Sequence, residues 1–317
     1  MNDLRTAIQE YLTVRRKLGF KLEQPGRLLH QFVFFAEQEG ASFITTDLAL
    51  RWATQPKGSQ HIWHAIRLGV IRRFAEYRSA VDPRTEIPPQ ELLPAHYQRK
   101  PPYIYNNYEI TSLIKAAQKL PSTLGLRAST YSTLFGLLAV TGMRMSESIA
   151  LNRNDVNLTE GILTIRQTKF SKSRLVPIHP STRKVLQHYA ILRDQTCALL
   201  KTPGFFVSEH GIRLTQWSVR WNFVRLSRQI GLRNPHDSHG PRLHDLRHSF
   251  AVHTLLDWYR SGMDVERHIP KLATYLGHKH VNDTYWYISA VPELLYLATK
   301  RLDTIPGGTV SDRKSVV

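Results

Sequence analysis

Cysteine is almost missing from this chain: Cys197 is the single one among 317 residues. That excludes an intramolecular disulfide framework and any zinc site built on cysteines, and it fits a reducing compartment. Long apolar runs are missing as well. No stretch approaches the roughly 20 apolar residues that a bilayer span requires, and the opening MNDLRTAIQE lacks the apolar stretch of a secretory signal. A membrane or secreted protein is therefore not expected, and Cys197 reads as a packing residue. Acidic residues are the third shortage. Asp and Glu total 25 against 43 Lys and Arg, giving a formal charge of +18 and a pI near 10.1. Such an imbalance favours a polyanionic partner, nucleic acid first. The basic residues lie within helical patterns, as in VRRKLGFK at 14–21 and IRLGVIRRFAEYR at 66–78, which suits a folded surface that tracks phosphates.

What is present is mostly helical periodicity. Between Asp3 and Phe20, Leu4, Ile8, Tyr11, Leu12 and Leu18 recur at helical spacing, which predicts an amphipathic helix with a basic end. Three more helices are predicted: within GRLLHQFVFFAEQEG, after Thr46 as N-cap of DLALRWATQ, and from Ser59 to about Ser79. Residues 1–81 thus read as a small all-α domain. Six prolines then crowd into 82–105; they lack the backbone donor of a regular element, and the interdomain linker is placed there. The second domain, 106–305, is predicted to hold helices at 107–119 and 130–141, from near Met145, and after Pro180, Thr215, Leu243 and Asp264. Gly277 stands where a helix C-cap is expected, and Pro292 opens a last helix over 292–302. Two alternating, β-branched segments, GILTIRQ and SRLVPIH, predict a strand pair. Residues 306–317 read as a flexible tail. The fold class is mainly α with a small β-sheet.

Five stretches carry chemistry: VTGMRMSESIAL (140–151), TKFSKSRLVPI (168–178), LHDLRHSFA (243–251), YLGHKH (275–280) and NDTYWYI (282–288). Arg144 and Arg247 offer guanidinium forks that match two phosphate oxygens and stay charged at any working pH. His244 and Arg247, three apart on a helix, share a face. His244 and His248, four apart, look at first like a zinc-protease helix. The acid between them is the shorter Asp245, however, and Arg247 would repel a dication, so no metal is expected. Taken singly, Arg144 reads as a surface ion pair, Lys169 as a solvated lysine and His248 as a packing or supporting residue.

Taken together and in this order, the five stretches resemble the tyrosine recombinases, the family of phage integrases and Xer-type recombinases. The resemblance covers the whole second half and, more loosely, the helical first half. It implies a SAM-like helical core-DNA-binding domain and a mixed α/β catalytic domain that close on DNA as a C-shaped clamp. Matching motif by motif, Thr141-Gly142-Met143-Arg144-Met145-Ser146-Glu147 makes Arg144 the first phosphate-binding arginine, with Glu147 orienting it. Arg174-Leu175-Val176-Pro177 puts the catalytic lysine at Lys169, with Lys172 as the competitor because Phe170 stands where many relatives carry Gly. His244 and Arg247 take the family's H-x-x-R positions, His278 follows Leu276-Gly277, and Tyr287, nine residues on, is the nucleophile. Tyr285 has the residue type but not the spacing.

The activity implied is cleavage and rejoining of DNA strands without metal or cofactor, through a 3′-phosphotyrosyl link and a Holliday junction. The partners implied are double-stranded DNA bearing a specific recombination site and a homo-tetramer on two such sites, in some members with related recombinases. Leu294, Leu295, Leu297 and Ala298 form an apolar segment that either docks into a neighbouring protomer or packs on its own domain. Two alternatives share these features, a type IB topoisomerase and a non-catalytic DNA-binding relative. Because the N-terminus reads directly into the helical module, no arm-binding domain is expected ahead of it, which favours a Xer-like or transposon-borne enzyme. The implied location is the cytoplasm of a bacterium, on the nucleoid.

Overall fold

The computed structural model describes residues 4–94, 101–166, 173–197 and 200–302. The chain divides into two compact units, Met1–Lys100 and Pro101–Val317, each with its own apolar core. Among the described residues no helix is long and apolar enough to cross a membrane.

The first unit is built from α1 (Leu4–Lys17), α2 (Glu23–Gln38), α3 (Thr46–Thr54) and α4 (His61–Ser79). On α1 the apolar positions Leu4, Ala7, Ile8, Tyr11 and Leu12 are all buried, and Arg15, Arg16 and Lys17 stand in the last turn, where the carbonyl pole favours cations. The helix ends in its Lys-Arg cluster ahead of Gly19, as expected; Gly19 turns into the left-handed region at φ 89°, and Leu18 and Phe20 are exposed. Thr45, one residue before the expected cap, accepts the Leu48 N–H at 3.1 Å and starts α3. Trp52 anchors the core: Phe32 meets it edge-on at 5.5 Å and the Arg67 guanidinium lies 3.7 Å over its ring. The first part of the proline-rich stretch runs along this unit. Arg72 donates to the carbonyls of Pro88 and Pro89 at 2.7 and 2.6 Å, which prolines keep although they lack an N–H. Glu86 accepts the Thr46 N–H at 2.7 Å.

The second unit contains α5 (Asn107–Gln118), α6 (Leu126–Thr141), α7 (Met145–Ala150), β1 (Val156–Asn157), β2 (Ile162–Ile165), β3 (Arg174–Pro177), α8 (Pro180–Thr196), α9 (Gln216–Gln229), α10 (Asp245–Arg260), α11 (Val265–Leu276), α12 (Asn282–Ala290) and α13 (Pro292–Leu302). The expected strand pair is β2 with β3, antiparallel, with Leu163 opposite Val176 and Ile165 opposite Arg174. Leu163, Ile165 and Val176 face the core while Leu175 is exposed, the alternation that a pleated strand imposes. β1 adds a third strand; at two residues it is too short for any sequence period to register. Central to the unit is α6, packed on α5, α8 and α10, with Leu134, Phe135, Leu137 and Leu138 all buried. It starts at Leu126 rather than at 130, directly after Gly125 at φ 72°.

A second core of this unit gathers α10 to α13 around Leu255, Ile269, Leu272, Leu276, Tyr287 and Leu294. On α13, Leu294 is fully buried and Leu297 packs against the same core, whereas Leu295 is exposed. Of the segment's two expected roles, packing on its own unit is thus the one seen for Leu294 and Leu297. The helix α12, which carries Tyr287, has no clear apolar stripe and was not expected as a helix.

Candidate active site

Four turns of chain converge on one region of the second unit. The first follows α6, which ends at Gly142 with φ 59°. A Cβ there would come within 2.5 Å of Phe250 Cδ1 and 3.0 Å of Leu276 Cδ2, so only glycine fits both the backbone and the space. The reversal delivers Arg144 to the start of α7. Glu147, three residues on, accepts both the Arg144 backbone N–H at 2.9 Å and its Nη1 at 2.8 Å.

Glu147 also receives a second arginine. From β3, Arg174 donates Nη1 to Oε1 at 3.0 Å and Nη2 to Oε2 at 2.7 Å. The carboxylate is buried, which by itself would raise its pKa, but the hydrogen bonds and charge of Arg174, followed by those of Arg144, outweigh burial and hold it at about 2. Both arginines are thereby locked in orientation.

The end of α11 organises the rest. The last carbonyls of a helix have no partner within it and form its negative pole. Here three successive ones each take an arginine: Tyr275 O accepts Arg174 Nε at 2.9 Å, Leu276 O accepts Arg247 Nη2 at 2.8 Å, and Gly277 O accepts Arg144 Nη2 at 3.1 Å. Gly277 itself, at φ 71°, is the expected C-cap. Arg247 completes its grip with Nη1 on Gly142 O at 2.8 Å. Buried, and close to the Arg144 charge, its guanidinium is pushed down to about 10, which still leaves it charged at neutral pH.

His278 follows Gly277, and its Nδ1 shares a 2.7 Å hydrogen bond with Thr284 Oγ1. One turn further along α12, Tyr287 is buried at 1% exposure, with its ring stacked on His278 at 6.4 Å between centroids and 25° between planes. Tyr285 is 41% exposed. The Tyr287 hydroxyl and His248 Nδ1 lie 2.8 Å apart in a hydrogen bond. His244 stands at the N-cap position of α10, with no capping hydrogen bond from its side chain, and its ring is edge-on to His248 at 4.8 Å. One side of His244 is open to solvent, yet the surrounding protein and then the charge of Arg247 lower its pKa to about 4, so the imidazole is neutral at pH 7.

Asp245, the acid that makes the zinc-helix pattern tempting, is buried and accepts the backbone N–H of Arg242 at 2.7 Å and its Nη2 at 2.8 Å. Among the described residues no three His, Cys, Asp or Glu side chains are grouped to hold a metal ion. Beside the site opens a cavity of about 580 Å³ lined by Arg144, Gln216, Arg220, Arg233, Arg242 and His244 among others, a strongly basic entrance.

Of the residues expected from the sequence, Arg144, Glu147, His244, Arg247, His248, His278 and Tyr287 are brought into this one network. Lys169 and Lys172 lie outside the described residues. Arg174, which opens the R-L-V-P strand, is a site residue that the motif alone does not single out; an arginine at the end of a strand otherwise made of apolar residues is the signal that marks it. His248, assigned a supporting place, is the side chain at hydrogen-bond distance from the Tyr287 hydroxyl.

Residues 105–293 match the profile of the family described as Phage integrase family. The chain is 49% identical over 307 residues to the "Putative integrase/recombinase y4rB" of Sinorhizobium fredii, covering 96% of this chain and 98% of that protein. It is 29% identical over 223 residues to "Tyrosine recombinase XerC" of Chlamydia caviae, covering 70% and 65%. Among solved structures, the XerH site-specific recombinase bound to its palindromic difH substrate in a post-cleavage complex superposes with a TM-score of 0.63 at 20% identity, over 88% of this chain and 78% of that one.

Proposed function

This chain belongs to the phage integrase family and is a site-specific DNA recombinase of the tyrosine type, and we propose that it cuts and rejoins DNA by forming a 3′-phosphotyrosyl link on Tyr287. The observation that carries this reading is the convergence of Arg144, Arg247, His278 and Tyr287, from four separate stretches, around the carbonyl end of α11. A phenol is a weak nucleophile at neutral pH, because its ordinary pKa is about 10, so the site must hold the phosphate and help remove the proton. Arg144, Arg247 and His278 bind the non-bridging phosphate oxygens. They are preorganised for the charge that builds up at the pentavalent phosphorus, because Glu147 and the α11 carbonyls fix the guanidinium planes before substrate arrives.

The roles then divide. Tyr287 Oη attacks phosphorus, and the bond to the 5′ oxygen breaks. That oxygen takes its proton from a lysine, Lys169 or its competitor Lys172. His244, neutral at pH 7, stands beside the arginines as a phosphate contact and proton-transfer group. Attack of a 5′ hydroxyl from a second duplex on the phosphotyrosyl bond reverses the step and exchanges strands, and two such exchanges pass through a Holliday junction. The working assembly is a homo-tetramer on two copies of a specific double-stranded site, acting alone or with related recombinases in the bacterial cytoplasm. The +18 formal charge and the arginine-lined cavity support the polyanionic partner.

A nicked suicide substrate tests the reading, because loss of a short fragment traps the covalent adduct. Candidate sites come from the DNA flanking the protein's own gene. Wild type and Tyr285→Phe should both accumulate adduct and Tyr287→Phe none. An adduct that survives Tyr287→Phe, or none from wild type on its mapped site, would show the proposal to be wrong.

A further inference from the structure

The family resemblance makes His244 the candidate to accept the proton of the nucleophile, whereas the structure sets a different imidazole at hydrogen-bond distance from the Tyr287 hydroxyl. Building on the reading of Tyr287 as nucleophile, we propose that His248 is a catalytic residue that takes the phenolic proton of Tyr287. Its Nδ1 lies 2.8 Å from the Tyr287 hydroxyl, within the reach that proton transfer requires. Both partners are buried, His248 at 7% and Tyr287 at 1% exposure, so a proton leaving the phenol passes to a neighbouring side chain rather than directly to bulk water. His244, the other imidazole of this helix, meets His248 edge-on at 4.8 Å, while His248 meets the Tyr287 ring at 5.6 Å. His248 therefore stands in contact with both.

The local architecture explains why α10 can serve two functions at once. Arg247 and His248 are consecutive and both buried, and successive side chains on a helix point about 100° apart. Arg247 is thus directed to the Gly142 and Leu276 carbonyls and the phosphate, while its neighbour is directed to the nucleophile on α12. Trp286 lies edge-on to both the His248 ring, at 6.0 Å, and the Tyr287 ring, at 5.3 Å, and walls this pair off.

In the forward step the Tyr287 Oη–P bond forms, the phenolic proton moves to Nδ1 of His248, and the P–O5′ bond breaks with the 5′ oxygen protonated by the lysine general acid. In the reverse step the incoming 5′ hydroxyl gives its proton back to that lysine as it attacks phosphorus, the P–Oη bond breaks, and His248 returns its proton to the departing phenolate. No other reactant is needed.

The test is adduct formation on the suicide substrate by wild type, His248→Phe and His248→Gln, each with ordinary tyrosine and with a ring-fluorinated, more acidic tyrosine at position 287. Phe keeps the ring volume, Gln keeps a hydrogen-bonding group that cannot take up a proton, and DNA binding measured alongside reports folding. The expected result is a fall of about 100-fold or more in cleavage rate for both variants, in the range that acid–base groups contribute, and recovery of most of that loss with the fluorinated tyrosine. If His248→Phe cleaves as fast as wild type or faster, His248 only holds the tyrosine in its buried position, and the proposal fails. Loss that the fluorinated tyrosine does not recover assigns His248 a purely structural place and overturns it equally. Absence of adduct from wild type would instead bring down the nucleophile assignment itself, so the two failures are distinct.

Discussion

Replacing Glu147 by Gln removes one negative charge from between two arginines while keeping the size of the side chain. In the folded protein the Glu147 carboxyl is held at about 2 against an ordinary 4.5, because the hydrogen bonds and charges of Arg174 and Arg144 outweigh the opposing effect of burial. Lowering the carboxyl from 4.5 to about 2, at about 1.4 kcal/mol per pKa unit, corresponds to about 3.5 kcal/mol of stability. Little of it is lost to solvent screening, since the side chain is 6% exposed. The amide also turns donors toward donors. Breaking a buried pair in this way costs about 3 to 5 kcal/mol, so the two routes agree. The sign with pH follows from the lowered folded pKa: the contribution is fully present above 4.5 and is lost as pH falls toward 2. The gap between wild type and Glu147→Gln, measured by urea unfolding, should therefore be about 3.5 kcal/mol at pH 7 and about 1.5 kcal/mol at pH 3. Cleavage of the suicide substrate should fall with it, because Arg144 and Arg174 lose the group that fixes them. A gap under about 1 kcal/mol at pH 7, or one unchanged at pH 3, would refute the argument that Glu147 is an ionised clasp.

Two further outcomes follow from the same geometry and charge. Gly277→Ala places a Cβ 2.7 Å from Arg174 Nη1 in a backbone at φ 71°, a conformation that costs a non-glycine residue about 1–2 kcal/mol; stability should drop by about that much and cleavage further, and a variant with unchanged cleavage would show that the Arg174 position is dispensable. Affinity for the recombination site should fall linearly in log–log form with salt, with a slope of about −0.9 per phosphate contacted; Arg220→Ala, at the basic entrance, should make that slope shallower by about one, and a titration showing no change would remove Arg220 from the phosphate contacts.

Local signals were legible wherever the physics is local. Apolar spacing marked most helices, and Asp264, Thr215 and Gly277 announced helix ends because caps act within one turn. The pleat of β2 and β3 was written in their alternation. The misses are local in the same sense. β1 is too short for a period, and α12 has aromatic residues on several sides, so no stripe stands out.

The motif residues Arg144, Glu147, His244, Arg247, His278 and Tyr287, and the family they signal, were in the sequence because each sits in a short segment whose own turn or helix gives it direction. Glu147 reaches Arg144 from three residues away. What only the tertiary structure decided are the bonds between segments. Arg174 reaches Glu147 across 27 residues, and His248 meets Tyr287 across 39. The carbonyls of Tyr275, Leu276 and Gly277 each take an arginine from a different element. Backbone acceptors carry no residue identity, so no pattern of side chains could show that α11 ends as the hub of the site. A histidine's partner depends on which helix packs opposite it, and the sequence left His248 in a supporting place until the packing of α10 against α12 set it against the nucleophile.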